Sequence, residues 1–138
     1  MIGLQPTPAE VLDAVHRIAV LGAHDDPSRP ACTVPLYLAR AGYSIAPVNP
    51  ARPGATLAGV PFVGALVEVS PPAELILVFR RADQLPSHLD ALRAAAPRCV
   101  WFQTGIHHAG VSAALREAGI AVVEDRCAMV EHARGQAR

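Results

Sequence analysis

The run RIAVLG (17–22) is short, almost wholly apolar and ended by glycine. A run of that length without polar alternation reads as a β-strand covered on both faces. The pattern recurs at YSIAPVNP (43–50), ELILVFR (74–80), RCVWFQTG (98–105) and IAVVED (120–125). Helical spacing fills most of the intervals. TPAEVLDAVHR (7–17) has Thr7 as N-cap, Pro8 at the first helical position and Glu10 three after the cap. PACTVPLYLARAG (30–42) repeats Val34, Leu38 and Ala41 and stops at Gly42, with Pro35 acceptable only within the first turn. ADQLPSHLDALRAAAP (82–97) carries Leu85, Leu89 and Leu92 in one stripe, with Asp83 near its start. HHAGVSAALREAG (107–119) and RCAMVEHAR (126–134) supply two more helices. In the turn-rich stretch 51–72, GVPFV reads as a short strand and GALVEV as a single helical turn. Alternating strands and helices predict an α/β chain, a three-layer Rossmann-like fold with a mostly parallel sheet and helices on both faces.

At 138 residues the chain has room for one domain, expected over 1–138 with its core at about 17–132. Formal net charge is zero, so nothing draws it to nucleic acid or to an anionic membrane. No apolar run approaches the roughly 20 residues of a membrane span. The start MIGLQPTPAEVLDAVHR lacks the basic and apolar blocks of a secretory signal. Cys32, Cys99 and Cys127 are odd in number and widely spaced, which argues against a disulfide framework. The expected compartment is the cytoplasm.

Ligands of an open parallel sheet bind outside the carboxyl ends of its strands. Those ends are GAHDDPSR (22–29), VNPAR (48–52), FRRAD (79–83), QTGIHH (103–108) and EDRCA (124–128). Four of the five carry arginine: Arg29, Arg52, Arg80 with Arg81, and Arg126. Arginine suits bidentate contact with phosphate. The pattern reads as a polyanion pocket, or as charge gathering where loops face water.

After the first strand, Gly22 allows close backbone approach, and the next helix turns its free N–H groups toward the loop. A dinucleotide fingerprint needs three glycines where this chain has Gly22, His24 and Pro27, and an acid where it has Asn49. NAD binding is therefore disfavoured. His24 is either a ligand contact or a solvent-facing residue. The histidines show no metal-ligand spacing, and there is no P-loop lysine and no nucleophile elbow. Cys127, beside Arg126 at a helix start, suits a thiolate, or it simply packs. Cys99, Trp101 and Phe102 read as core.

The stretches 18–50, GVPFVGALVEV, LILVFRRADQLP, VWFQTGI and VVEDRCAMVEH, in this order, resemble the small bacterial CoA-binding domain proteins. These are single-domain relatives of the CoA-binding half of the succinyl-CoA synthetase alpha subunit. The resemblance spans about Arg17 to His132. It implies a Rossmann-like fold holding coenzyme A or an acyl-CoA across the strand ends. The residues carried over are Gly22, Ala23, His24 and Arg29 with Pro30 at the phosphates, and Asn49 and Pro50 at the nucleotide. Phe79 and Arg80 lie close by, Gln103 and Gly105 line the pantetheine side, and Arg126 and Cys127 follow. The chain departs from the family at His24, where a serine is common, and at Ala31 and Cys32 after the Arg-Pro pair. The synthetase's phosphohistidine belongs to a second domain for which this chain has no room.

The resulting expectation is a binding or regulatory protein for coenzyme A without catalysis. Its partner is the small molecule, with no nucleic acid and no membrane; a protein partner and a homodimer stay open. The alternatives are an enzyme on an acyl-CoA or nucleotide substrate, with Glu124, Asp125 and His24 as strand-end acid–base candidates, and a redox module in which Cys127 forms a mixed disulfide with coenzyme A.

Overall fold

A computed structural model describes residue 3 and residues 5–136, so the extreme ends of the expected 1–138 domain lie outside the described residues. In chain order the elements are α1 (Pro8–Ala14), β1 (Arg17–Leu21), α2 (Pro30–Arg40), β2 (Ser44–Val48), β3 (Thr56–Leu57) and β4 (Val60–Pro61). They continue as β5 (Leu75–Val78), α3 (Leu85–Ala95), β6 (Cys99–Phe102), α4 (Ala109–Glu117), β7 (Ala121–Val123) and α5 (Ala128–Gln136).

The five longer strands form one sheet in the order β2-β1-β5-β6-β7, and every neighbouring pair is parallel. The chain leaves β1 toward β2 and returns on the other side of β1 as β5. The sheet therefore switches direction between β1 and β5, where an open α/β sheet forms its crevice.

The apolar runs lack polar alternation because both faces of each strand are covered. Ile18, Val20, Leu75, Leu77, Cys99 and Trp101 pack on one side, against Val11 and Leu12 of α1, Leu38 of α2 and Ala128 of α5. Ala19, Leu21, Ile76, Val78, Val100 and Phe102 pack on the other, against Leu85 and Leu92 of α3 and Val111 and Leu115 of α4. The side chains alternate with the period of two that a strand imposes. The three-layer Rossmann-like arrangement expected from the sequence is the one observed.

Three local expectations shift. Helix α1 has its full capping box, with Glu10 N–H donating to Thr7 Oγ1 at 3.2 Å and Thr7 N–H to Glu10 Oε1 at 3.0 Å. It ends at Ala14, earlier than expected, because Val15 is already extended. The N–H groups of His16 and Arg17 then donate to the Glu74 carboxylate at 2.9 and 3.1 Å. Pro35 lies in the second turn of α2 rather than the first. It has no N–H to offer the Ala31 carbonyl, which instead accepts from His24 N–H at 3.2 Å. The proline thus frees an acceptor that ties down the loop after β1. The expected strand in GVPFV is Val60–Pro61, paired antiparallel with Thr56–Leu57. This hairpin joins the main sheet through one bridge, Val48 to Val63. The expected turn in GALVEV is a 3-10 turn at Leu66–Glu68.

Candidate functional site

The loop after β1 is built by backbone requirements. Gly22 has φ +84° and donates its N–H to Val48 O at 2.9 Å. Phe79 N–H reaches Leu21 O at 2.8 Å, so the ends of β2, β1 and β5 are drawn together. A β-carbon on Gly22 would run into the Phe79 carbonyl and come within 3.3 Å of Arg80 Nε. The space freed by this glycine is thus occupied by the neighbouring strand end. Asn49 is buried; its Nδ2 donates to Ala23 O at 2.9 Å and its Oδ1 accepts from Ala51 N–H at 2.9 Å. It fixes the loop's shape through the buried Ala23. His24 Nδ1 accepts from Asp26 N–H at 3.0 Å. The same nitrogen lies 3.5 Å from Asp25 Oδ1. Pro50 is exposed beyond the strand end.

A cavity of about 820 Å³ opens over the carboxyl ends of β5 and β6, between the start of α2 and the start of α5. Small-molecule sites are commonly about 300–1,000 Å³. Among the expected site residues, Arg29, Pro30, Phe79, Arg80, Gln103, Gly105 and Cys127 line it; Gly22, Ala23, His24, Asn49, Pro50 and Arg126 do not. Arg81, Val34, Thr104 and Ile106 also line it. Arg81 stands in the strand-end segment FRRAD, and Thr104 and Ile106 flank Gln103 and Gly105. Val34 belonged by periodicity to the helix core, where it also packs.

The wall carries three arginines, Arg29, Arg80 and Arg81, and no carboxylate. Arg29 is the N-cap of α2 and makes no side-chain capping bond. Its 3.5 Å pair with Asp26 and the 3.4 Å pair of Arg81 with Asp83 are solvent-exposed, so both guanidinium groups are only loosely held. Arg52 is spent elsewhere, 2.6 Å from Asp25. The Arg80 Nε is buried without a hydrogen-bond partner. Gln103 is 4 % exposed; its Oε1 accepts from Ala128 N–H at 3.3 Å, and its Nε2 has no partner. Two residues of the cavity wall, Arg80 and Gln103, therefore each carry a buried donor without an acceptor. Unpaired donors of this kind each cost about 1–3 kcal/mol.

The far wall is fixed by a positive-φ pair. Gly105, at φ +80°, donates its N–H to Asp125 Oδ1 at 2.6 Å, and Asp125 itself lies at φ +54°. Trp101 Nε1 donates to Arg126 O at 2.8 Å, leaving the Arg126 side chain outward and Cys127 on the wall. Cys32 and Cys99 are buried. Burial pushes the Cys99 thiol up to about 12. Burial also raises Cys32, with Asp25 and Asp26 adding to it. The acid–base candidates stand off the cavity wall. Glu124 faces His107 at 3.3 Å and Arg116 at 3.8 Å, and Asp125 holds Gly105. His108, unassigned by the sequence, caps α4 by accepting from Val111 N–H at 3.1 Å. Among the described residues no cluster of ligating side chains comes together to hold a metal, and no helix is long and apolar enough to cross a membrane.

Residues 16–133 match the family described as CoA binding domain. The chain belongs to that family. It is 36 % identical over 124 residues to the protein YneT of Bacillus subtilis (strain 168), with 90 % of each chain covered. A solved structure from Thermus thermophilus, cell-free ID.343, superposes with a TM-score of 0.89 at 46 % identity, covering 93 % of this chain and 98 % of that one. The dinucleotide-forming acetyl-coenzyme A synthetase 1 of Ca. Korarchaeum cryptofilum shares the fold, with a TM-score of 0.64 at 18 % identity. That match covers 77 % of this chain and 25 % of the synthetase.

The residues of this CoA binding domain fit the group its family is described by. Coenzyme A brings phosphates, an arm with two amides, and a terminal thiol. The arginine-lined, carboxylate-free wall suits the phosphates. The unpaired Gln103 Nε2 suits a carbonyl oxygen of the arm. Phe79, Val34 and Ile106 offer apolar contact along the same cavity.

Proposed function

We propose that this protein binds coenzyme A, or an acyl-CoA, across the carboxyl ends of its strands as a binding or regulatory protein without catalysis of its own. The observation that carries this reading is a strand-end cavity with three arginines and no carboxylate on its wall, two of whose residues, Arg80 and Gln103, also carry buried donors without partners. Arg80, with Arg29 and the N-terminus of α2, takes the phosphates. Gln103 donates to the pantetheine arm where it passes Gly105. Gly22, Ala23, His24, Asn49 and Pro50 shape the nucleotide end of the site. Arg126 and Cys127 stand at its thiol end, with Cys127 facing the ligand. All three cysteines are free thiols, which suits a reducing cytoplasm.

Isothermal calorimetry with coenzyme A and acetyl-CoA tests the reading. Saturable binding is expected. Arg80→Ala should weaken it by about 1.5–3 kcal/mol, the worth of a hydrogen bond to a charged group. Arg29→Ala should cost less, because Arg29 is 60 % exposed and screened by water. Wild-type protein that takes up neither ligand overturns the proposal.

A further inference from the structure

Three hydrogen bonds hold the chain on either side of Cys127 against the end of β6. Before it, Arg126 N–H donates to Phe102 O at 3.3 Å, and Arg126 O accepts from Trp101 Nε1 at 2.8 Å. After it, Ala128 N–H donates to Gln103 Oε1 at 3.3 Å. The backbone that carries this thiol is therefore fixed in place, and Cys127 is part of the cavity wall. The bond from Ala128 also sets the amide of Gln103, a residue of the same cavity wall whose Nε2 has no partner. Cys32 and Cys99 are buried away from it.

The cavity is polarised along the sheet. Arg80 follows β5, Gln103 follows β6 and Cys127 follows β7, in the order in which these strands lie side by side. At roughly 4.8 Å per strand the cationic and thiol ends stand about 10 Å apart. A ligand lying across them meets cations first, then an amide, then a sulfur. That is the order of groups along the pantetheine arm of coenzyme A.

We infer that Cys127 is a thiol–disulfide exchange site for the sulfur of coenzyme A, and that the disulfide of coenzyme A is its substrate. The inference rests on the coenzyme A reading above. The Cys127 thiol gives its proton to solvent, and the thiolate attacks one sulfur of the ligand's disulfide. The Cys127–S–S–CoA bond forms as the ligand's own S–S bond breaks. The departing coenzyme A thiolate takes up a proton. Cys127 is oxidised and the released half is reduced, so no other oxidant is needed.

The reduced protein is mixed with coenzyme A disulfide and followed by intact-mass spectrometry. One adduct of the mass of one coenzyme A unit is expected. It should map to Cys127, disappear with dithiothreitol and fail to form in Cys127→Ser. It should form at least about tenfold faster than the adduct from the uncharged hydroxyethyl disulfide, because the arginines recruit only the former. Arg80→Ala should slow the first reaction more than the second. Equal rates for the two disulfides overturn the inference, as does an adduct on Cys32 or Cys99. Calorimetric binding of coenzyme A without any adduct overturns the exchange step alone. Neither binding nor adduct overturns the coenzyme A reading with it.

Discussion

Gly22 pairs a left-handed backbone, φ +84°, with a β-carbon position already filled by the Phe79 carbonyl. Either condition alone disfavours a side chain, and here they coincide at the sheet's switch point. Gly22→Ala should lower stability by roughly 2–3 kcal/mol in urea unfolding. It should also disturb Arg80, whose Nε lies next to the missing side chain. A variant as stable as wild type would show that the loop can move off β5. The glycine was conspicuous in the sequence, but its neighbour was not. Phe79 lies 57 positions further on, and only pairing of β1 with β5 brings it there. Gln103 shows the same gap. The residue was visible at a strand end, but its unpaired Nε2 follows from the capture of its Oε1 by Ala128, on a different element.

At the scale of elements, the alternation of apolar strands and helices carried most of the fold. The exceptions are places where one element depends on another. Helix α1 stops at Ala14 because Glu74, at the entry to β5, claims the N–H groups of His16 and Arg17. The carboxylate also faces Arg17 at 3.9 Å and Arg98 at 3.5 Å, so it joins the entries of β1, β5 and β6. The Arg17 N–H, then the His16 N–H and the two arginines, hold this carboxyl below the ordinary carboxylate range. A depressed folded value means the stabilisation is present above the unfolded value and fades as pH falls through the folded one. Glu74→Gln should therefore cost about 1–2 kcal/mol at pH 7, with the gap from wild type closing toward pH 3 in denaturant melts. A gap that is independent of pH would assign the loss to packing instead. Pro35 is a similar case. The sequence marks it as a defect in α2, and the structure uses the acceptor it frees to hold His24.

At the scale of the molecule, the arginine-lined cavity makes a prediction about the whole fold. Coenzyme A at a hundredfold excess over its Kd should add about 2.7 kcal/mol of stability. For a chain of this size that raises Tm by roughly 8–11 °C in a thermal melt. The shift should shrink as salt is raised if the phosphates meet the solvent-accessible arginines as proposed. A shift that is insensitive to salt would remove the arginines from the contact. The sequence alone determined the order of strands and helices, their two-sided burial and the strand-end segments, since these depend on apolar period and local turn chemistry. It also marked the arginine-bearing ends from which a pocket is made. The tertiary structure decided which of those ends meet. Arg29, Arg80 and Arg81 share a cavity, while Arg52 closes on Asp25 and Arg126 turns outward. Strand order and the direction of each loop set that choice. Both arise from long-range pairing, and no local pattern of residues encodes it.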